Sequence, residues 1–148
     1  MLKVEKLLPA LKERLVTTRY NAPLSDIATL LCAPENNLII VCDDDKKMVG
    51  VIAKTDIVRH VRDFERPDHN VMADAIMTKS VISCTRDDWL RDIWTIIKQK
   101  NLKNIPVIDA ECKPVGILNL RDALQALLED VEYEEQLLRE YVMGIGYR

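Results

Sequence analysis

The sequence predicts an α+β fold made of two similar halves packed with pseudo-two-fold symmetry, followed by an extended C-terminal helix. Three observations carry this. The chain repeats itself at a constant offset of 66 residues without a gap. Its apolar runs are short and alternate between strand-like and helix-like patterns. With 148 residues, 48% of them hydrophobic, it is large enough to bury a real core, whereas a half of this size would be marginal alone.

The repeat is read directly from the residues. Leu24, Asp26, Ile27 and Thr29 recur as Leu90, Asp92, Ile93 and Thr95. Ile39, Val41 and Asp43 recur as Ile105, Val107 and Asp109, and Lys47, Val49, Gly50 and Asp56 recur as Lys113, Val115, Gly116 and Asp122. Most other pairs match apolar with apolar, such as Val16 with Ile82. The segments divide into a first repeat over 8–62, a linker over 63–73, a second repeat over 74–128 and a helix with tail over 129–148.

Taken in order, Leu8, Leu11 and Leu15 give a helical stripe, with Pro9 suited to a first turn. Val16-Thr17-Thr18 is β-branched and reads as a short strand. Asn21-Ala22-Pro23 starts a helix, with Asn21 as its capping residue and an inner face of Leu24, Ile27, Ala28 and Leu31. Leu38–Cys42 is continuously apolar, as in a strand buried on both faces. The acidic turn at Asp43 leads into a strand over Met48–Ala53, and Thr55–Arg62 is an amphipathic helix. Asp63–Asn70, which includes His69, has linker composition. The second copy opens at Val71–Met77 and continues with a strand over Val81–Cys84 and a cap at Asp87 or Asp88. A helix through Leu90, Ile93, Trp94 and Ile97 follows, then strands Ile105–Ile108 and Val115–Leu118 and a helix from Leu120. That helix keeps an apolar stripe at Leu124, Leu127, Val131, Leu138 and Val142, which either covers its own sheet or packs on a symmetric copy. The ending, Tyr141 to Arg148, reads by default as a frayed tail, with enough apolar surface to suggest docking.

Composition excludes several functions. A formal net charge of −3 and 5% aromatics argue against nucleic-acid binding. No apolar run approaches a membrane span, and the acids in Met1–Leu15 argue against a targeting signal, so a cytoplasmic location is expected. Cys32, Cys42, Cys84 and Cys112 form no Cys-x-x-Cys pair; the first three read as small buried hydrophobes and Cys112 as a thiol in a turn. His60 and His69 have no spaced partner for a metal or a nucleophile–base pair, and the chain has only four glycines and no phosphate loop. Asp43-Asp44-Asp45 lacks the spacing of a calcium loop and reads as a hairpin turn. No catalysis and no required cofactor are expected.

The two copies resemble the cystathionine-β-synthase-type (CBS) domain, which usually occurs in pairs. The motifs are Asp74-Ala75-Ile76-Met77-Thr78, Asn104-Ile105-Pro106-Val107-Ile108-Asp109, and Pro114-Val115-Gly116-Ile117-Leu118 followed by Asp122. The resemblance implies two tandem β-α-β-β-α repeats with clefts between them that bind AMP, ADP, ATP, S-adenosylmethionine or NAD. It further implies a regulatory rather than catalytic role and dimerisation through the helices of the pair.

The same resemblance implies the site. Asp56 and Asp122 would accept hydrogen bonds from ribose hydroxyls, although their position at helix starts explains both without a ligand. The hydroxyl that the family usually places three residues before this Asp is absent here, replaced by Ala53 and Asn119. Asn119 can cap its helix, and Thr55 is expected to substitute in the first copy. Lys54 and Arg121 are candidate phosphate ligands. Ile39, Ile40, Ile105 and Pro106 would wall an adenine slot, with backbone groups from Thr17, Thr18, Ser83 and Cys84. The second copy keeps more of the pattern, which favours the cleft of Asp122. Three readings remain: an adenosyl-ligand sensor signalling to an unidentified protein target, a dimerisation or interaction scaffold with a degenerate site, and a small enzyme with an acidic cleft.

Overall fold

The computed structural model describes residues 1–63 and 70–146. His69 and most of the expected linker, and Tyr147 and Arg148 at the tail, lie outside the described residues. A 3-10 turn over Val4–Leu7 leads into α1 (Leu8–Glu13), β1 (Thr17–Arg19), α2 (Leu24–Cys32), β2 (Ile39–Cys42), β3 (Met48–Ile52) and α3 (Lys54–Asp63). Then come α4 (Ala73–Ile76), α5 (Leu90–Lys100), β4 (Asn104–Ile108), β5 (Pro114–Asn119) and α6 (Leu120–Gly146).

The fold class is as the sequence predicts, and the two hairpins are built alike. β2 pairs antiparallel with β3, β4 with β5, and each ladder shifts register just before its turn. The turns explain the recurrence of Asp43 as Asp109. Asp43 Oδ1 accepts the Asp45 and Lys47 N–H groups, and Asp109 Oδ1 accepts those of Glu111 and Lys113, all at 2.9 Å. Lys46 and Cys112 take the left-handed conformation that closes each turn, both at φ 65°. Gly50 and Gly116 recur because both strands are approached closely. A Cβ on Gly50 would lie 2.6 Å from Met77 Sδ, and one on Gly116 would lie 2.9 Å from Leu11 Cβ.

The first strands differ between the halves. β1 runs parallel to β2, and the Ile40 N–H extends that ladder to the Val16 carbonyl at 2.9 Å. The position equivalent to Ile40 is Pro106, which has no N–H to give Ile82. The expected strand over Val81–Cys84 is therefore a single bridge, with the Cys84 N–H donating to Pro106 and the Ile108 N–H to Cys84.

Each leader segment covers the other half. Val4, Leu8 and Leu11 pack into the core of Leu90, Ile93, Ile97, Ile105 and Leu118, and the Leu90 N–H donates to the Leu2 carbonyl. Ala73 and Ile76 pack reciprocally with Ile27, Leu31, Ile39 and Ile52. A third cluster of Leu38, Ile40, Cys42 and Ile117 joins the two sheets, so neither half has a closed core by itself.

Local details correct three expectations. Asn21 does not cap α2; Pro23 precedes it in extended conformation. Trp89, not Asp87 or Asp88, precedes α5, and the Asp88 carboxylate is held by the Thr85 N–H at 2.8 Å. Cys32 is exposed because it sits on the outer face of the last turn of α2, whereas Cys42 and Cys84 are buried. Burial pushes the Cys84 thiol up to about 12, with a smaller push from the charge of Asp88. No described helix is long and apolar enough to cross a membrane. In α6, Ala123 and Ala126 are buried against the body, but residues 131–143 are exposed throughout.

Candidate ligand cleft

Strands β3 and β5 each deliver the chain into a helix, so the first turns of α3 and α6 face one another across the pseudo-two-fold axis. Between them lies a cleft of about 870 Å³. It brings together Lys54, Thr55, Asn119, Arg121 and Asp122 from the predicted set and adds Arg14, Lys103 and Gln125. The positive ends of two helix dipoles, with four basic side chains around them, make this a site of positive potential. Lys54, Lys103 and Arg121 form no salt bridge with any described residue, whereas Arg14 pairs with Asp122.

The two aspartates are used differently. Asp56 is 5% exposed. Its Oδ2 accepts the Ala53 N–H at 2.7 Å, and its Oδ1 accepts the Thr78 hydroxyl at 2.8 Å and Arg59 at 3.0 Å. The contact with Ala53 is the carboxylate half of a capping box. The cap therefore needs no side chain at Ala53, and Thr55 does not substitute: it is exposed and lines the cleft. Asp122 faces the cleft. Arg14 Nη2 donates to Oδ1 at 3.0 Å, and Arg14 Nε lies 2.7 Å from Oδ2 in an ion-pair contact whose N–H is not aligned for a hydrogen bond. Asn119 caps α6 as expected, its Oδ1 accepting the Arg121 N–H at 2.8 Å while its Nδ2 donates to Asn104.

An apolar slot of about 250 Å³ opens beside Asp56, walled by Leu38, Val51, Val81, Ile82, Leu102 and Pro106. Thr55, Thr78 and Ser80 supply its polar edge. Leu38, Ala53, Thr55, Leu102 and Asn104 line both slot and cleft, so the two share a wall. On the Asp122 side, the space among Arg14, Asn104, Ile117 and Asn119 is only about 10 Å³. The open slot is thus beside Asp56, opposite to the side that the sequence favours; Arg14 and Asn119 stand on the closed side where the smaller Ser80 and Ala53 stand on the open one.

The remaining predicted residues are dispersed. Pro106 lines the open slot, but Ile39, Ile40 and Ile105 are fully buried core. Thr17 and Thr18 line a separate cavity of about 1030 Å³ beside the hairpin turns, with Arg19, Asp44, Lys46 and Lys113. Ser83 and Cys84 lie beyond the slot, and Ser80, Val81 and Ile82 stand in their place. The missed residues were partly legible. Thr78 belongs to the quoted leader motif, and Arg14 and Ser80 are 66 positions apart, so the repeat itself pairs them. Among the described residues, no group of three or more His, Cys, Asp or Glu could hold a metal ion.

A family model for the CBS domain matches residues 10–63 and 73–129. The chain belongs to the CBS domain family. Members of this family occur commonly as regulatory pairs rather than as catalytic units. A homoserine O-acetyltransferase of Methanosphaera stadtmanae is 33% identical over 101 residues, covering 68% of this chain and 20% of that protein. The chain therefore spans about a fifth of the length of that relative. Among solved structures, CBSX2 in complex with AMP superposes with a TM-score of 0.75 at 20% identity, covering 87% of this chain and 98% of the other. The CBS domain pair of protein MJ0100, in complex with 5′-methylthioadenosine and S-adenosyl-L-methionine, gives 0.70 at 22% identity, covering 88% and 98%. At these identities the CBS-pair structures share the fold.

Proposed function

We propose that this chain is a non-catalytic regulatory module that binds an adenosine phosphate and passes its state to a partner protein. The single observation that carries this reading is the shared wall between an apolar slot and a basic cleft at two helix starts. A purine suits the slot between Val51, Ile82 and Pro106, and the Ile82 carbonyl, which Pro106 cannot engage, is free to accept an exocyclic amine. Phosphates suit Lys54, Lys103 and Arg121 beside the α3 and α6 N-termini. This charge favours AMP, ADP, ATP or NAD over S-adenosylmethionine, whose sulfonium would meet the same cations. Calorimetric and thermal-shift titrations with all five ligands test the reading. A rise in melting temperature with the phosphates, weakened by salt, is expected. A folded sample unmoved by every one of them overturns it.

The scaffold reading is favoured by a different observation, the uncovered face of α6. Leu124, Leu128, Val131, Leu138 and Val142 are all exposed and fall on one seam with a period of 3.5 residues. The partner that fits this seam is a second copy of the chain, paired antiparallel. A parallel pair would set Glu135 on its own copy within the seam, whereas an antiparallel pair that aligns Leu124 with Val142 sets it opposite the partner's Val131 and keeps the two carboxylates apart. Light scattering should give a dimer for the full chain and a monomer for Leu138→Glu/Val142→Glu. A monomeric wild-type chain at tens of micromolar overturns this assignment.

A further inference from the structure

Arg14 has no role in the proposed contacts between ligand and slot, yet it touches Asp122, a carboxylate that lines the basic cleft. The pseudo-two-fold relation exchanges Arg14 with Ser80, 66 positions later. Ser80 is a small side chain at the edge of the slot of about 250 Å³. Arg14 instead lies along Ile117 and Asn119, and the space left there is about 10 Å³. Its guanidinium contacts both Asp122 oxygens, at 3.0 and 2.7 Å. Asp56, beside the open slot, also has both oxygens engaged, by Ala53, Thr78 and Arg59, so the two slots differ in free volume and not in the availability of a carboxylate. The backbone does not close this slot. Asn119 caps α6 and Asn104 holds Asn119, so the helix start stays formed whether or not Arg14 is present.

We infer that Arg14 is a built-in substitute for a ligand: it fills the second slot and neutralises Asp122, and so limits the chain to one nucleotide. The inference rests on the proposed binding of adenosine phosphates. Arg14 does not act by strength of pairing, because a half-exposed ion pair contributes little. It acts by occupancy. A tethered side chain is present at high effective concentration, and an incoming nucleotide must displace it before any contact forms. Because Arg14 also lines the basic cleft, its charge adds to the potential felt by phosphates of a nucleotide held in the open slot. Removing it therefore has two opposite effects. The second slot opens, and affinity at the first falls several-fold.

Calorimetric titration of the full chain with ADP tests this. The wild type should take up one ADP per chain. Arg14→Ser, which copies the residue of the open slot, should take up two, the tighter one several-fold weaker than in the wild type. Ile82→Trp, which fills the open slot, should take up none, and Arg14→Ser/Ile82→Trp should take up one. Thermal melts of the variants should match the wild type, since Arg14 and Ile82 are exposed. Two sites in the wild type, or one site in both wild type and Arg14→Ser, overturn the role of Arg14 while leaving nucleotide binding intact. No site in either protein overturns the binding reading and this inference together.

Discussion

The two repeats use the same residues for different ends, and the contrast between Asp56 and Asp122 shows how. Each is the third residue of its helix, α3 or α6, at the same place in the repeat. Asp56 turns inward because Thr78 and the Ala53 N–H offer it three donors with Arg59, so it binds the second leader to the first repeat. Asp122 turns outward because Asn119 already caps its helix and Arg14 supplies charge from the side. Identity of sequence position thus fixes the helix start but not the task of the side chain. The slots follow the same rule: Ser80 lines the open one, and Arg14 stands at the equivalent place in the closed one.

The contrast can be broken in order of expected effect. Asp56→Ala leaves the half-buried Thr78 hydroxyl and a helix-start N–H without their acceptor and should cost about 2 kcal/mol. Chemical denaturation will read this, and a loss below about 1 kcal/mol would mean that the two aspartates are equivalent after all. Gly116→Ala should cost about 2 kcal/mol by overpacking against Leu11 of α1. Gly50→Ala should cost less, because the thioether of Met77 can swing aside although the Thr78 carbonyl remains.

Titration offers a third test. Cys84 stands where the first repeat has Thr18. Its folded thiol is raised to about 12 from 9.0, chiefly by burial. The unfolded chain releases this proton above about pH 9 while the folded chain keeps it. Stability should therefore fall as pH rises from about 9 towards about 12, by roughly 1 kcal/mol at pH 10. The slope should flatten in Cys84→Ala; an unchanged slope would assign the loss to other groups. Fourth, Pro106→Ile restores the donor that Ile40 has. It should stabilise the second sheet by about 1 kcal/mol, protect the new amide from exchange, and weaken nucleotide binding by engaging the Ile82 carbonyl. Smallest of all, Asp122→Ala should change stability by less than about 1 kcal/mol, because its ion pair with Arg14 is partly exposed.

Much of the fold was legible because the repeat is gapless and its marks are backbone requirements. Asp43 and Asp109 are needed by identical turns, and Gly50 and Gly116 by two close approaches. The strand expected over Val81–Cys84 was misjudged because local apolar pattern does not show that Pro106 lies opposite and lacks a donor. The site was legible only near the helix starts, where Lys54, Thr55, Asn119, Arg121 and Asp122 do converge. Thr17, Thr18, Ser83 and Cys84 line neither cleft nor slot, because a strand's sequence does not show which of its ends meets the opposite half.

The sequence by itself determined the elements and their duplication, since both follow from short-range chemistry: turn acceptors, helix starts and apolar alternation. Only the tertiary structure decided the exchange of leader segments and the closing of one slot. Both depend on which residues from distant positions share a space. Leu11 is local to the first repeat in sequence and buried with the second. Arg14 is 108 residues from Asp122, and no pattern along the chain brings that guanidinium onto that carboxylate. The fold's own pseudo-two-fold symmetry does so, and Arg14 in turn makes the two halves unequal.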